Sequence, residues 1–458
     1  MKHFSNRFGN AHAAVRWILV TGVLLAAPKT PQAVEKKVSF QRDIAPILQS
    51  QCLTCHRETK AKGDYRLDSF EYLLRAGSSG EAAIVRGKPE ESFLFELIVT
   101  ADEDDRMPQK GDPLSENQID LIRNWILHGA KFDGNDPVAI WIPERGPEDY
   151  PPAPKRYPVP LEVTALAFHP DGETLATSGY GEALLWQASK ESPPKRIGKL
   201  PRQIHDLEFS SDCAVLAVAG GAPAEWGEAT LVHLESGKVS RIKTMAEVQF
   251  AVAISDDGAL LASGGADNTI HLFDLHSDST TATSRREIRQ HADWVMDLSF
   301  SPDGKWIASA GRDRSARVYS VETGELLATC HDLEAPIHAV AFSRDGSGVL
   351  CAGKSKDLHH WNREDGKTLK KVAGVAAETF GLLATADHYF SCGSDNLVRQ
   401  YAVKDHKLVH SFAGHQDWVY SIACDPEGTL LASGSHDGEV RIWKLEDGSL
   451  LRSFLARP

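Results

Sequence analysis

Two cysteines and a histidine stand together as Cys52, Cys55 and His56 in "CLTCH". A C-x-x-C pair serves as a redox dithiol, as half of a zinc site, or as the attachment point of a haem. A redox dithiol belongs in a βαβ setting and a zinc site needs a second ligand pair at comparable spacing; neither is visible. His56 favours haem c, because two thiols one helical turn apart form thioethers with the vinyl groups and the adjacent imidazole reaches the iron from one side. The iron then needs a sixth ligand. Beyond Met1 the chain has three methionines, Met107, Met245 and Met296. Met107 in "DRMPQKG" is the candidate, since the proline after it removes a backbone donor and stiffens the loop. The alternatives are a gap-filling Met107, or ligation by a histidine such as His128. His/Met ligation raises the reduction potential and favours electron transfer over oxygen or peroxide chemistry.

These residues need helices to hold them. In "SFQRDIAPILQSQC", Phe40, Ile44, Ile47, Leu48 and Cys52 recur at three- and four-residue spacing. That pattern predicts an amphipathic helix feeding the thiol pair, with Pro46 near its first turn or perturbing it. "PLSENQIDLIRNWILHGA" predicts a second helix: Ser115 and Gln118 are spaced as a capping box, Ile119, Ile122, Trp125 and Ile126 share a face, and Gly129 is a stop. Between them, "GKPEESFLFELI" offers either backbone donors to haem propionates or a plain turn and helix. The acidic run from Asp102 to Asp105 lies beside Met107. It reads as a solvated surface or as a docking patch for a basic redox partner.

From Val38 to Phe132 the order "DIAPILQSQCLTCH", "GKPEESFLFELI", "RMPQKGDPLSENQIDLIRNWILHGA" resembles the planctomycete-type cytochrome c domain. That resemblance implies one covalent haem c, attached at Cys52 and Cys55, with His56 and Met107 as axial iron ligands.

Residues 1–33 have the form of an export signal. Lys2, Arg7 and Arg16 precede the apolar run "WILVTGVLLAA", and no acidic residue occurs before Glu35. A run of this length is too short to span a bilayer. Cleavage after Ala33 is favoured, with retention as a signal anchor the alternative. The expected location is periplasmic or otherwise exported, with no membrane span after signal removal. The net charge of −13 and the lack of a Lys/Arg run exclude phosphate-backbone binding as the main task, so no nucleic acid is expected as partner. Seven cysteines leave complete internal pairing impossible. Cys213, Cys330, Cys351, Cys392 and Cys424 are expected as buried small thiols.

Residues 133–160 hold eight prolines and read as a semi-rigid spacer. From residue 161 to 455 a strand, a turn and a second strand recur, as in "VTALAFHPDGETLATSG" and "VYSIACDPEGTLLASGSHDG". Equivalent turn positions at Asp171, Asp212, Asp257, Asp303, Asp345, Asp387 and Glu427 recur at intervals of roughly 40–46 residues, the period of four-stranded propeller blades. Third strands ending "ALLW", "ARVY" or "VRIW" resemble WD40 repeats. His415, Ser433, Asp437 and Trp443 fit that family's buried network best; His291 and Asp313 match it in the fourth blade, and Asp267 and Asp395 retain the aspartate. Blades one and two lack it, and "GGAPAEWGEA" reads as an insertion that makes them irregular. Ring closure by "SLLRSF" or by a strand from the spacer is left open. The fold class is therefore multidomain: a small all-α cytochrome c domain followed by an all-β, seven-bladed WD40-type propeller.

"GVLCAGKS", Gly348 to Ser355, spells the P-loop pattern, but its letters fall in register with a blade strand and no helix follows, so no ATP site is expected. Two functional classes follow. One is an exported electron-transfer cytochrome whose propeller presents a face to a protein ligand. The other is a redox enzyme whose propeller carries the catalytic site and whose cytochrome domain accepts its electrons; the pair His359 and His360 is the only cluster in the ring that suggests it.

Overall fold

A computed structural model describes residues 38–458, apart from 54, 58–59, 110–112, 135–136, 139–149, 151, 224, 246, 277–280, 331–332 and 376–377. The expected export signal therefore lies outside the described residues. A small helical segment comes first and a seven-bladed β-propeller follows.

The helical segment contains α1 (Ala45–Gln51), α2 (Phe70–Leu73), α3 (Phe93–Val99) and α4 (Glu116–Leu127). A π-helical turn, Phe40–Ile44, precedes α1. The single helix expected over this stretch is thus two pieces. Pro46, in the first turn of α1, has no N–H to give the preceding turn, and the wider π turn accommodates the missing bond. Phe40, Ile44, Ile47 and Leu48 are buried as their spacing requires. The capping box at Ser115 and Gln118 forms, and Ile122, Trp125 and Ile126 are buried beneath it. Phe40, Phe70, Trp125 and Phe132 make an aromatic cluster. The Phe70 ring centroid lies 5.0 Å from that of Phe40 and 4.9 Å from that of Phe132, and Trp125 lies 5.3 Å from Phe40.

Each blade is a four-stranded antiparallel sheet, and the seven cover residues 166–198, 203–245, 249–288, 295–329, 337–373, 379–413 and 419–455. Apolar side chains of adjoining sheets interlock between blades; one such layer joins Val318 of blade 4 to Val349 and Trp361 of blade 5. Of the two strands considered for closing the ring, "SLLRSF" is the one that completes the last sheet, and none comes from residues 133–160 among the described residues. "SLLRSF" contributes to the outer strand of blade 7 itself, Leu450–Leu455. Blades 7 and 1 meet through packed side chains that include Leu166, Leu184, Trp186, Val440 and Ile442. The Val163 N–H also donates to the Ser435 carbonyl at 3.0 Å.

Three expectations change. Blade 2 is a complete sheet: the residues read as an insertion lengthen its two central strands, Val215–Ala222 and Trp226–His233, which stay in register to Ala222 opposite Trp226. Cys330, Cys351 and Cys392 are buried and Cys424 partly so, but Cys213 is exposed at φ +63°. It occupies the left-handed turn position that glycine fills at 172, 258, 304, 346 and 428 in other blades, where turn geometry and not burial sets the site. Finally, the segment read as a spacer supplies two side chains to the propeller interior, Tyr150 and Tyr157.

Those tyrosines complete equivalent networks. In blade 1 the buried Glu182 takes two bonds from Arg196, at 2.6 and 2.7 Å, and a third from the Tyr157 hydroxyl. In blade 2 the buried Glu228 takes a 2.6 Å bond from Arg241 and another from the Tyr150 hydroxyl, with Arg241 also donating to Tyr150 at 2.8 Å. Charged and hydroxyl donors around a buried carboxylate offset much of its desolvation. Blades 1 and 2, which lack the histidine and aspartate network, are held by Tyr–Glu–Arg instead.

Candidate functional site

The C-terminal turn of α1 carries Cys52 out of the helix, with its N–H on the Leu48 carbonyl at 2.9 Å; the Cys55 and His56 N–H groups turn back onto the Cys52 carbonyl at 3.1 and 3.2 Å. A short two-stranded ladder, His56–Arg57 against Lys60–Ala61, fixes the segment beyond. Both thiols and the His56 ring face a cavity of 690 Å³. Leu48, Leu94, Leu97 and Ile98 supply apolar wall, and Met107 and Pro108 are part of its lining. That volume is within the range of roughly 300–1,000 Å³ for small-molecule and cofactor sites.

His56 is oriented for ligation. Its Nδ1 lies 3.1 Å from the Tyr65 carbonyl, which only accepts, so Nδ1 carries the proton and Nε2 is left with its lone pair. A bond of this kind fixes ring orientation and raises basicity in metal-bound histidines. Tyr65 is itself fixed by its hydroxyl on the Leu73 carbonyl at 2.8 Å. On the Met107 side, the backbone N–H of Met107 donates to the Leu97 carbonyl at 2.9 Å, tying that loop to the end of α3. Met245 is buried in blade 2 and Met296 lies in blade 4, and neither lines the cavity; His128 is exposed at the end of α4 with Nδ1 on the Asn124 carbonyl at 2.7 Å.

Burial pushes the Cys52 thiol up to about 12, with the Cys55 thiol adding to the shift. A redox dithiol needs the opposite, a thiolate stabilised near neutrality. From "GKPEESFLFELI", Phe93, Leu94, Leu97 and Ile98 of α3 line the cavity. Asp102, Glu103, Asp104 and Asp105 are all exposed, and Asp105 reaches the cavity rim.

In the propeller, blade 4 forms the expected network: His291 Nε2 lies 2.7 Å from the Ser309 hydroxyl and Nδ1 lies 3.1 Å from Asp313. Blade 7 forms part of it. Ser433 joins His415 Nε2 at 2.7 Å and the Trp443 indole at 2.9 Å, but Asp437 accepts from the Gln416 N–H at 3.3 Å and the buried His415 Nδ1 has no hydrogen-bond partner among the described residues. Burial lowers the His415 pKa to about 4 and keeps the ring neutral. Asp267 pairs with His271 at 2.8 Å and Asp395 with Arg399 at 2.5 Å. The first of these partners escapes sequence reasoning because His271 lies on the following strand, outside the repeat's usual position. Gly348–Gly353 is a β-strand followed by a turn and another strand, not a phosphate loop. His359 is buried and His360 half-buried on the next strand, where pleating sends neighbours to opposite faces.

A cavity-bearing helical segment joined to a seven-bladed propeller is the class of protein that fold and site define. The planctomycete cytochrome C family matches residues 52–111, and the WD domain, G-beta repeat family matches residues 159–187, 243–274, 282–320 and 406–444. The chain thus carries a planctomycete cytochrome c domain and WD40 repeats. Similar curated proteins include the transcriptional corepressor LEUNIG_HOMOLOG of Arabidopsis thaliana, 26% identical over 49% of this chain and 29% of that protein. The Denticleless protein homolog of Gallus gallus is 27% identical over 41% of this chain and 25% of its own length. Striatin of Rattus norvegicus is 23% identical over 64% of this chain and 36% of its own length. The chain therefore spans well under two thirds of these relatives.

Proposed function

We propose that this protein is an exported c-type cytochrome that binds one haem c and transfers electrons, with its propeller serving as a platform for a protein ligand. Residues 38–132 form the haem domain in this reading, 133–160 the linker and 161–455 the platform. The observation that carries it is the convergence of Cys52, Cys55, His56 and Met107 on one cavity, with the His56 Nδ1 proton already committed to a carbonyl. Cys52 and Cys55 would hold haem c through thioethers, and His56 and Met107 would hold its iron. When bound, haem c would supply a one-electron couple. Apolar side chains from α1 and α3 exclude water from it. The exposed carboxylates from Asp102 to Asp105 lie beside the Met107 loop, where they would attract a basic redox partner in a salt-sensitive way. Residues 1–33 support export by composition alone.

No helix among the described residues is long and apolar enough to cross a membrane. The test is a haem stain of the denatured full-length protein followed by reduced-minus-oxidised spectra. A covalently retained haem with a reversible one-electron change is the expected result. Met107→Ala should retain the haem and alter the spectrum of the ferrous form. An unstained band overturns the proposal.

A further inference from the structure

On one face of the propeller, the innermost strands of most blades carry a β-bulge after their first residue. In blade 6 the register skips from Thr379 to Gly381, and in blade 7 from Val419 to Ser421, so Phe380 and Tyr420 are the unpaired residues. Bulges re-aim side chains. Here they bring Phe380 and Tyr420 together at 5.1 Å, with Trp418 5.7 Å from Phe380 and His436 5.9 Å from Tyr420. Trp418 is 45% exposed, the largest exposed aromatic side chain among the described residues. Carboxylates surround the cluster: Asp417 and Glu162 lie 3.0 and 3.2 Å from His436, and Glu378 lies 3.4 Å from His338, whose ring stacks on Phe380.

The molecule contains a filled version of the same arrangement. "HADWV" and "GRDR" in blade 4 correspond to "HQDWV" and "SHDG" in blade 7, so Asp293, Trp294 and Arg312 are equivalent to Asp417, Trp418 and His436. In both, the third residue's N–H donates to the tryptophan carbonyl at 2.9 Å, so the backbones agree. In blade 4 the Arg312 guanidinium lies over the Trp294 ring, 4.2 Å from its centroid, and its Nε is 3.2 Å from Asp293. In blade 7 the shorter imidazole reaches Asp417, but its centroid is 6.4 Å from that of Trp418 and the indole remains uncovered. Blade 7 thus keeps the ring and the carboxylate and lacks the guanidinium.

We propose that the blade 7 site takes an arginine side chain from a partner protein, seated over Trp418 as Arg312 is over Trp294 and paired to Asp417 and Glu162. This rests on the reading of the propeller as a platform and names the chemistry of its ligand. A guanidinium matches both halves of the site, since it stacks on an indole face and bonds carboxylates in its plane. A lysine ammonium shares the charge but not the planar fork.

The test uses the full chain and dye-labelled, end-blocked pentapeptides Gly-Gly-X-Gly-Gly with X as arginine, lysine, leucine or glutamate, read by fluorescence anisotropy. Arginine peptide should saturate, with lysine weaker and leucine and glutamate not binding. Trp418→Ala and Asp417→Asn should each weaken arginine binding about tenfold or more. His436→Arg should abolish it by filling the site from within, as blade 4 does, while leaving the melting temperature in place. The proposal is overturned if arginine shows no preference over leucine, if no peptide saturates, or if His436→Arg binds as the parent does. The haem spectrum of the same samples reports on the cytochrome reading separately, and saturable binding of a non-arginine peptide would leave the platform standing while removing this site.

Discussion

In the helical segment Leu48, Leu94 and Ile98 face a cavity of 690 Å³, whereas in the propeller Val318, Val349 and Trp361 face one another across adjoining sheets. Protein interiors are normally packed without voids of that size, and a lined cavity surrounded by short helices forfeits the contacts its walls would make. The propeller needs nothing further to complete its cores. The helical segment instead keeps an open cavity beside its chemistry-bearing residues, which is the room that the proposed haem would fill as core.

The contrast is tested most severely by Cys52→Ala with Cys55→Ala, which removes both proposed attachment points. Hydrogen exchange should then show α1 and α3 unprotected, with propeller strands keeping their parental protection, because a ligand that binds only the folded state contributes its binding free energy to that part alone. Equal protection of the helices with and without the cysteines would break the contrast. Ser433→Ala tests the other side. It leaves the buried His415 Nε2 and the Trp443 indole N–H without their shared partner. The propeller should lose about 3 kcal/mol in denaturant unfolding, with haem retention unchanged.

Tyr150→Phe and Tyr157→Phe probe the strap between the two regions. Each removes one donor from a buried glutamate. The cost should be about 1 kcal/mol for each, read by denaturant unfolding. Proteolysis within the segment 133–160 should also become faster. Unchanged stability in both would reduce the strap to a surface contact.

The smallest effect is in the pH profile. Burial pushes Glu208 on an inner strand up to about 8, from an ordinary value of 4.5. Because the folded value is raised, its contribution is fully present below the unfolded value and lost as pH rises through about 8. Glu208→Gln keeps an acceptor for the Ile254 N–H. It should gain about 1 kcal/mol above that pH while changing nothing in acid, below the unfolded value. His205 and His415 act in the opposite direction. Burial depresses both to about 4, so their contribution is present above 6.5 and fades as pH falls towards 4. A profile that Glu208→Gln leaves unchanged would show that this carboxyl does not titrate in the folded ring.

Much of this was legible in local pattern. Seven turn positions at near-constant spacing carried the blade count, and the Ser115 and Gln118 pair marked the start of α4, because each is a short-range rule of backbone geometry. The pairing of Tyr150 with Glu228 and of Tyr157 with Glu182 was not. It joins residues 78 and 25 apart with no periodicity to announce it. Cys213 departs from expectation because its apolar neighbours suggest a strand while its own place is a glycine turn. The incomplete network at His415 depends on side-chain placement within a fraction of an ångström, which a matching set of letters does not encode. Likewise the arginine-capped Trp294 and the open Trp418 share a motif, and only three-dimensional contact separates them.

The most direct test is the mass of the peptide spanning residues 52 to 56, taken from the natively produced protein. The account predicts one haem added through both cysteines, with no free thiol at either. Two alkylatable thiols and an unmodified mass would contradict it.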